Sequence, residues 1–233
     1  MKNAINARYS AAPASGVVDR ILESQRRKIF DAFMEFKKGN PNDTTLNIGM
    51  MPAALFEKPD YLNSWSDQKE RARMLSYQIE PPQTGDAQRQ TMRISRQEQA
   101  HLPFSDRAFD WVACNEVIEH VGGNVHQLAL IKELYRVARK GVFVSTSNRR
   151  HPIEFNTGIP LLHLLPASWW RGILAHTGHR DWSSESVLNL VDAPALYRFA
   201  EMLPGAPPHD VGHKRVFGVK AHFFLMIRKP EDA

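Results

Sequence analysis

The chain has a single cysteine, Cys114, among 233 residues. One thiol excludes an intrachain disulfide framework and a multi-cysteine zinc site, and it suits a reducing, cytoplasmic compartment. Long apolar runs are missing too. The most apolar stretch, Ile159–Leu165, is interrupted by Pro160 and His163 and stopped by Pro166, short of the ~18–20 residues needed to span a bilayer. Met1–Ser15 is polar and small, without the apolar core of a secretory signal. The 13 glycines and 15 prolines show no period, which excludes a collagen-like chain. Gly-x-Gly-x-x-Gly, Gly-x-Ser-x-Gly and His-Glu-x-x-His do not occur. These gaps speak against a nicotinamide dehydrogenase, a serine hydrolase and a helical zinc hydrolase.

What is present is globular. Hydrophobic residues make up 42% and charged residues 24%, enough apolar side chain for a core and too much for a disordered chain. The net charge of +5 is concentrated at the start, where the first forty residues carry eight Lys or Arg against four acids. Such an excess fits an anionic surface or nucleic acid, but a solvated helix face accounts for it more simply. His176-x-x-His179 and His209-x-x-x-His213 have ligand-like spacing without a third ligand cluster, so no metal is expected.

Apolar positions from Val17 to Phe36 recur at helical spacing, and Gly39 to Asn42 stop that helix. Leu46–Ile48 reads as a strand entering a turn at Gly49, Tyr61–Arg73 as a helix, and Met74–Ile79 as a strand closed by Pro81-Pro82. Thr91–Ser95 is a weak strand and Phe109–Cys114 a strong one. Val125–Ala138 is helical, with its end placed at Lys140-Gly141, and Val142–Thr146 is a buried strand. Leu196–Met202 reads as a helix, and Val216-Phe217 with His222–Ile227 as a terminal hairpin. The alternation predicts an α/β fold: a central, mostly parallel sheet with helices on both faces and an antiparallel C-terminal hairpin. Ligands of such sheets bind at the carboxyl ends of the strands, which singles out Gly49, Glu80, Asn115 and Ser147-Asn148. The expected organisation is a helical extension over 1–42, a core over 43–150, an inserted lid over 151–195, and a helix and hairpin over 196–233.

The segment from Leu102-Pro103-Phe104 through Phe109-Asp110, the apolar strand, and Ile118-Glu119-His120 resembles the class I S-adenosylmethionine-dependent methyltransferases, in particular the UbiE-like group acting on metabolites and lipids. The following strand, Val142–Thr146, fits that family as well. The resemblance implies a Rossmann-like fold with S-adenosylmethionine as cofactor. In the family the first strand ends in an acid and a Gly-x-Gly-x-Gly turn. Here Asn47 replaces the acid, Gly49 is kept, and Met51 and Ala53 replace the second and third glycines. The resemblance implies further cofactor contacts at Gln78 or Glu80 for the ribose diol, at Glu98 beside Gln99 for the adenine amine, and at Asn115. Extended-strand geometry points residues 78 and 80 the same way.

Glu119-His120 supplies an imidazole able to take a proton near neutral pH, or else a structural pair; His120 and Asn115 are the candidate catalytic residues. Cys114 reads as a small buried residue. The Leu- and Trp-rich stretch 160–174 is expected to roof the substrate, to contact membrane or protein, or to pack on the sheet. An Asn/Asp-Pro-Pro-Tyr/Phe base-methylation motif is absent, so nucleic acid is not the favoured partner. The sequence therefore predicts transfer of a methyl group to a small-molecule or lipid-like acceptor. The alternative is a non-catalytic binding or scaffold protein that has kept the fold with an eroded cofactor site.

Overall fold

The structure is a computed structural model and describes residues 16–38, 40, 42–50, 60–79, 101–177 and 179–230. The expected strand Thr91–Ser95 and the site candidates Met51, Glu80, Glu98 and Gln99 lie outside them.

The elements are α1 (Gly16–Lys37), β1 (Thr45–Met50), α2 (Tyr61–Trp65), α3 (Gln68–Arg71), β2 (Met74–Ile79), β3 (Phe109–Asn115), α4 (Asn124–Val137), β4 (Ala138–Ser147), α5 (Ala167–Ala175), α6 (Ala193–Glu201), β5 (His209–Val216) and β6 (Val219–Arg228). The strands form one sheet in the order β2-β1-β3-β4-β6-β5. The first four are parallel and the last two antiparallel, as the alternation of elements predicted.

Strand periodicity sorts the core into two layers. On β3, Trp111 and Ala113 face α1, where they meet Ile29, Phe33 and Phe36. Val112 and Cys114 face the other way, toward Leu130, Ile131 and Leu134 of α4. The helical spacing read along α1 is thus the stripe that buries against one sheet face. Both faces of β3 and β4 are covered, which explains their near-continuous apolar sequence, whereas β2 is an exposed edge strand.

Three boundaries differ from the sequence reading. The expected helix Tyr61–Arg73 is split. Ser66 Oγ donates back to the Leu62 carbonyl, and Asp67 then caps a new helix by accepting from Glu70 N at 2.8 Å. The helix ahead of β4 ends at Val137, and the strand begins at the next residue. Gly141 is a strand residue rather than a helix cap, because a Cβ there would stand 2.7 Å from the Ile227 carbonyl and 2.8 Å from the Trp111 ring. The terminal hairpin is longer than its apolar residues suggested. Its tip is Phe217-Gly218, both at positive φ, as a tight two-residue turn requires. Strand β5 is a polar edge strand, so it carried no alternating signal.

Candidate functional site

The parallel strands end side by side at one edge of the sheet. Pairing sets Asn47 opposite Ser76 and Gly49 opposite Gln78. One step past the Ile48–Cys114 pair, β3 ends at Asn115, opposite Ser145 of β4. An open cleft lies there, walled by these strand ends, the Asp60–Leu62 corner and Glu116. A Cβ added to Gly49 would meet nothing within 4 Å. No neighbour among the described residues requires a glycine there, but a ligand approaching the backbone closely would.

Asp60 holds the β1 and β2 side together. Its Oδ1 accepts from Asn47 Nδ2 at 2.7 Å and from Asn63 N at 3.1 Å, and its Oδ2 accepts from Ser76 Oγ at 2.8 Å. A carboxylate therefore sits against Asn47 even though position 47 carries none. The sequence contained a partial signal, since an Asp just before a helix reads as an N-cap. Nothing in it joined residue 60 to residues 47 and 76.

On the β3 side, Asn115 Oδ1 accepts from Ser145 Oγ at 2.9 Å. Its Nδ2 is buried without a hydrogen-bond partner among the described residues. An unsatisfied buried donor costs about 1–3 kcal/mol, a cost that a ligand acceptor would remove. Glu116 follows in the left-handed region at φ 53°. Such strain, about 1–3 kcal/mol, tends to persist at functional sites. Its carboxylate is buried, with Arg26 of α1 at 3.3 Å and His222 of β6 at 3.9 Å. Tyr61 is buried beside it. Burial first, and the charge of Glu116 second, push the phenol well above its ordinary pKa, so it stays a neutral donor.

The structure brings Asn47, Gly49, Gln78 and Asn115 to one cleft. It does not bring His120 there. That imidazole is fully buried, and its Nδ1 lies 2.7 Å from the Val187 carbonyl. Its neighbour Glu119 accepts from Thr146 Oγ1 at 3.0 Å. The Glu-His pair fastens the turn after β3 to β4 and to the 184–190 segment, outside the lining of the cleft. Asn148 is likewise committed elsewhere, donating from Nδ2 to the Lys220 carbonyl at 2.6 Å. No described residue of 151–195 lines the cleft. Trp170 and Leu174 of α5 join the core instead.

Cys114 is fully buried. Desolvation, reinforced by the nearby Glu119 charge, raises its thiol far above the ordinary range. A thiol kept protonated is a poor nucleophile, so native protein should be unmodified by an aromatic disulfide reagent and react only on denaturation. Rapid stoichiometric labelling of the native chain would contradict this placement.

The Leu102-Pro103-Phe104 motif has a structural account. Glu133 of α4 accepts from Leu102 N at 2.9 Å, and Arg136 donates to the Leu102 and Phe104 carbonyls at 3.1 and 2.8 Å. Arg136 also grips Glu133 through two bonds of 2.9 Å. A planar guanidinium fork suits this double task. Among the described residues, no group of three His, Cys, Asp or Glu side chains is placed to hold a metal ion.

Residues 62–145 match the sequence model of a methyltransferase domain. The matched stretch runs from just after Asp60 to Ser145, so it includes β2, β3, α4 and most of β4 and begins downstream of the Gly49 turn. No curated protein sequence matches. Among solved structures, the chain is similar to magnesium protoporphyrin IX methyltransferase of Synechocystis PCC 6803, determined with bound SAH, at 11% identity and a TM-score of 0.49, covering 89% of this chain and 84% of that one. It is also similar to an S-adenosylmethionine-dependent methyltransferase of Aquifex aeolicus, at 13% identity and a TM-score of 0.39, covering 86% and 88%. A third is a methyltransferase of Methanosarcina mazei, at 10% identity and 0.41, covering 82% and 94%.

Proposed function

We propose that the methyltransferase domain binds S-adenosylmethionine in the strand-end cleft and transfers its methyl group to a small-molecule or lipid-like acceptor. The observation that carries this reading is the open space above Gly49, flanked by the Asp60 carboxylate and the unsatisfied Asn115 amide. The residues present fit the cofactor's chemistry. Glycine permits close approach of the methionyl tail. Asp60 offers negative charge to a ligand that is cationic at sulfur and nitrogen, and Gln78 offers an amide to the ribose. When bound, the cofactor supplies a methyl carbon already activated by a sulfonium leaving group.

The chain's own task is then alignment and exclusion of water rather than bond polarisation. Asn115, held by Ser145, presents a fixed amide hydrogen at the end of β3. Tyr61 offers a second neutral donor from the α2 side. Glu116 places a carboxylate on the wall, and that group can take the proton that a hydroxyl or amine acceptor loses on methylation. His120 reaches none of these positions, so any proton it handles would have to pass through the packed core. For this reason the candidate base near the cleft is Glu116.

Calorimetric titration with S-adenosylmethionine tests the reading. Measurable heat together with a rise in melting temperature is expected, and neither signal at millimolar ligand would exclude it. Asp60→Asn separates charge from shape. With a charged hydrogen-bond partner removed, the dissociation constant should rise by about tenfold, equivalent to ~1.4 kcal/mol. An unchanged constant would exclude Asp60 from the site. The engagement of Asn47 by Asp60 rather than by open cleft favours a second reading, a binding or scaffold protein with the methyltransferase fold. It predicts no affinity for the cofactor.

A further inference from the structure

The 160–174 segment divides its apolar residues between two faces. On α5, Trp170 and Leu174 are one turn apart and buried in the core, while Arg171 donates to the Ser183 and Leu188 carbonyls at 3.1 and 3.0 Å and fixes the helix in place. Trp169 and Ile173, also one turn apart, point away from the protein. With Leu161, Leu164 and Leu165 from the preceding turn, they form a ridge of five large apolar side chains, each 37–66% exposed. Leu161 is held outward from a left-handed backbone at φ 62°, a conformation that a β-carbon resists. A helix apolar on both sides is ordinarily covered on both, and clustered exposed apolar residues mark a contact surface.

We infer that this ridge inserts into the interfacial layer of an anionic lipid bilayer. Charge selects this occupant. From Phe155 to Arg180 the sequence contains no Asp or Glu, and of its basic residues Arg180 and His176 are exposed, whereas Arg171 and His163 are held inward. Arg149, exposed just past the end of β4, adds a further cation near Arg171, where Glu185 also lies. Basic charge flanking an apolar face with an exposed tryptophan is the pattern of a helix lying in the membrane plane. Trp169 is suited to the interface because its ring is apolar and its indole N–H polar. A second copy of the chain is a poorer match. Five side chains fall well short of the roughly 20–30 residues a side of a stable protein interface, and facing copies would bring like charges together. No helix among the described residues is long and apolar enough to cross a membrane, so the contact is peripheral. The inference rests on the ridge alone and stands whether or not the cleft binds S-adenosylmethionine.

Co-sedimentation of the full chain with vesicles tests it. The protein should pellet with phosphatidylcholine vesicles containing phosphatidylglycerol, and far less with phosphatidylcholine alone. Trp169→Ser combined with Ile173→Ser should lower partitioning by roughly tenfold or more, with an unchanged melting temperature because both side chains face outward. Phe217→Ser, at the exposed hairpin tip, should leave binding intact. Three results would overturn the inference: no binding to anionic vesicles, equal loss with Phe217→Ser, or a dimer in sedimentation velocity that the double substitution dissolves.

Discussion

Replacing Gly49 by leucine should abolish S-adenosylmethionine binding while leaving the protein folded. The two effects separate because a Cβ at this position meets nothing within 4 Å. The first carbon of the new side chain meets no described residue, and the strand geometry is one that a branched apolar residue tolerates. The same space is where the backbone must be approached if the cofactor lies against the strand end. Filling it should raise the dissociation constant at least ~100-fold, corresponding to about 2.7 kcal/mol. The melting temperature of the unliganded protein should shift by no more than a few degrees. Calorimetry and thermal melting on the two proteins check both halves. Tight binding by Gly49→Leu would move the cofactor elsewhere and remove the basis for reading this cleft as its site. Contrast is supplied by Gly141→Ala, where the added carbon would stand 2.7 Å from a backbone carbonyl that cannot yield. That substitution should destabilise without a direct effect on the cleft.

The largest loss of stability from a single surface-proximal change should follow Arg136→Ala. This guanidinium bridges α4 to the loop entering β3 through the Leu102 and Phe104 carbonyls, Asp106 and Glu133. Its removal leaves two carbonyls and the Glu133 carboxylate short of donors. Burial tends to raise the pKa of Glu133, but the Arg136 hydrogen bonds, the Leu102 amide and the Arg136 charge together hold it below the ordinary value. A carboxyl whose folded pKa is depressed contributes stability above its unfolded pKa, and loses it as the pH falls through the folded value. The clamp should thus contribute about 2–3 kcal/mol at neutral pH, and the difference between wild type and Arg136→Ala should shrink below about pH 4. Urea unfolding at the two pH values measures this. A pH-independent difference, or none, would mean that the motif is held by apolar packing of Leu102 and Phe104 instead.

The Leu-Pro-Phe and Glu-His motifs show what a sequence signature does and does not say. Both were legible, and both marked the fold correctly. Neither lies at the cleft: one is clamped to α4 by Glu133 and Arg136, and the other is packed against the Val187 carbonyl and Thr146. A motif can recur because it fixes the strand ends in place, without touching a ligand. The residues that shape the cleft most, the adjacent Asp60 and Tyr61 with Ser76 and Glu116, come from three distant parts of the chain and show no motif.

The sequence by itself determined the sheet, its parallel core and its helical layers. Apolar periodicity is a local property, and one buried face specifies each element. It also located the strand ends at Gly49 and Asn115, since an element boundary is set by nearby residues. Only the tertiary structure decided that Asp60 sits against Asn47, that His120 lies in the core, and that Trp169 faces outward while Trp170 faces inward. Those outcomes depend on how distant segments cross, and a carboxylate thirteen residues away acts on a strand end only after folding has closed the loop between them.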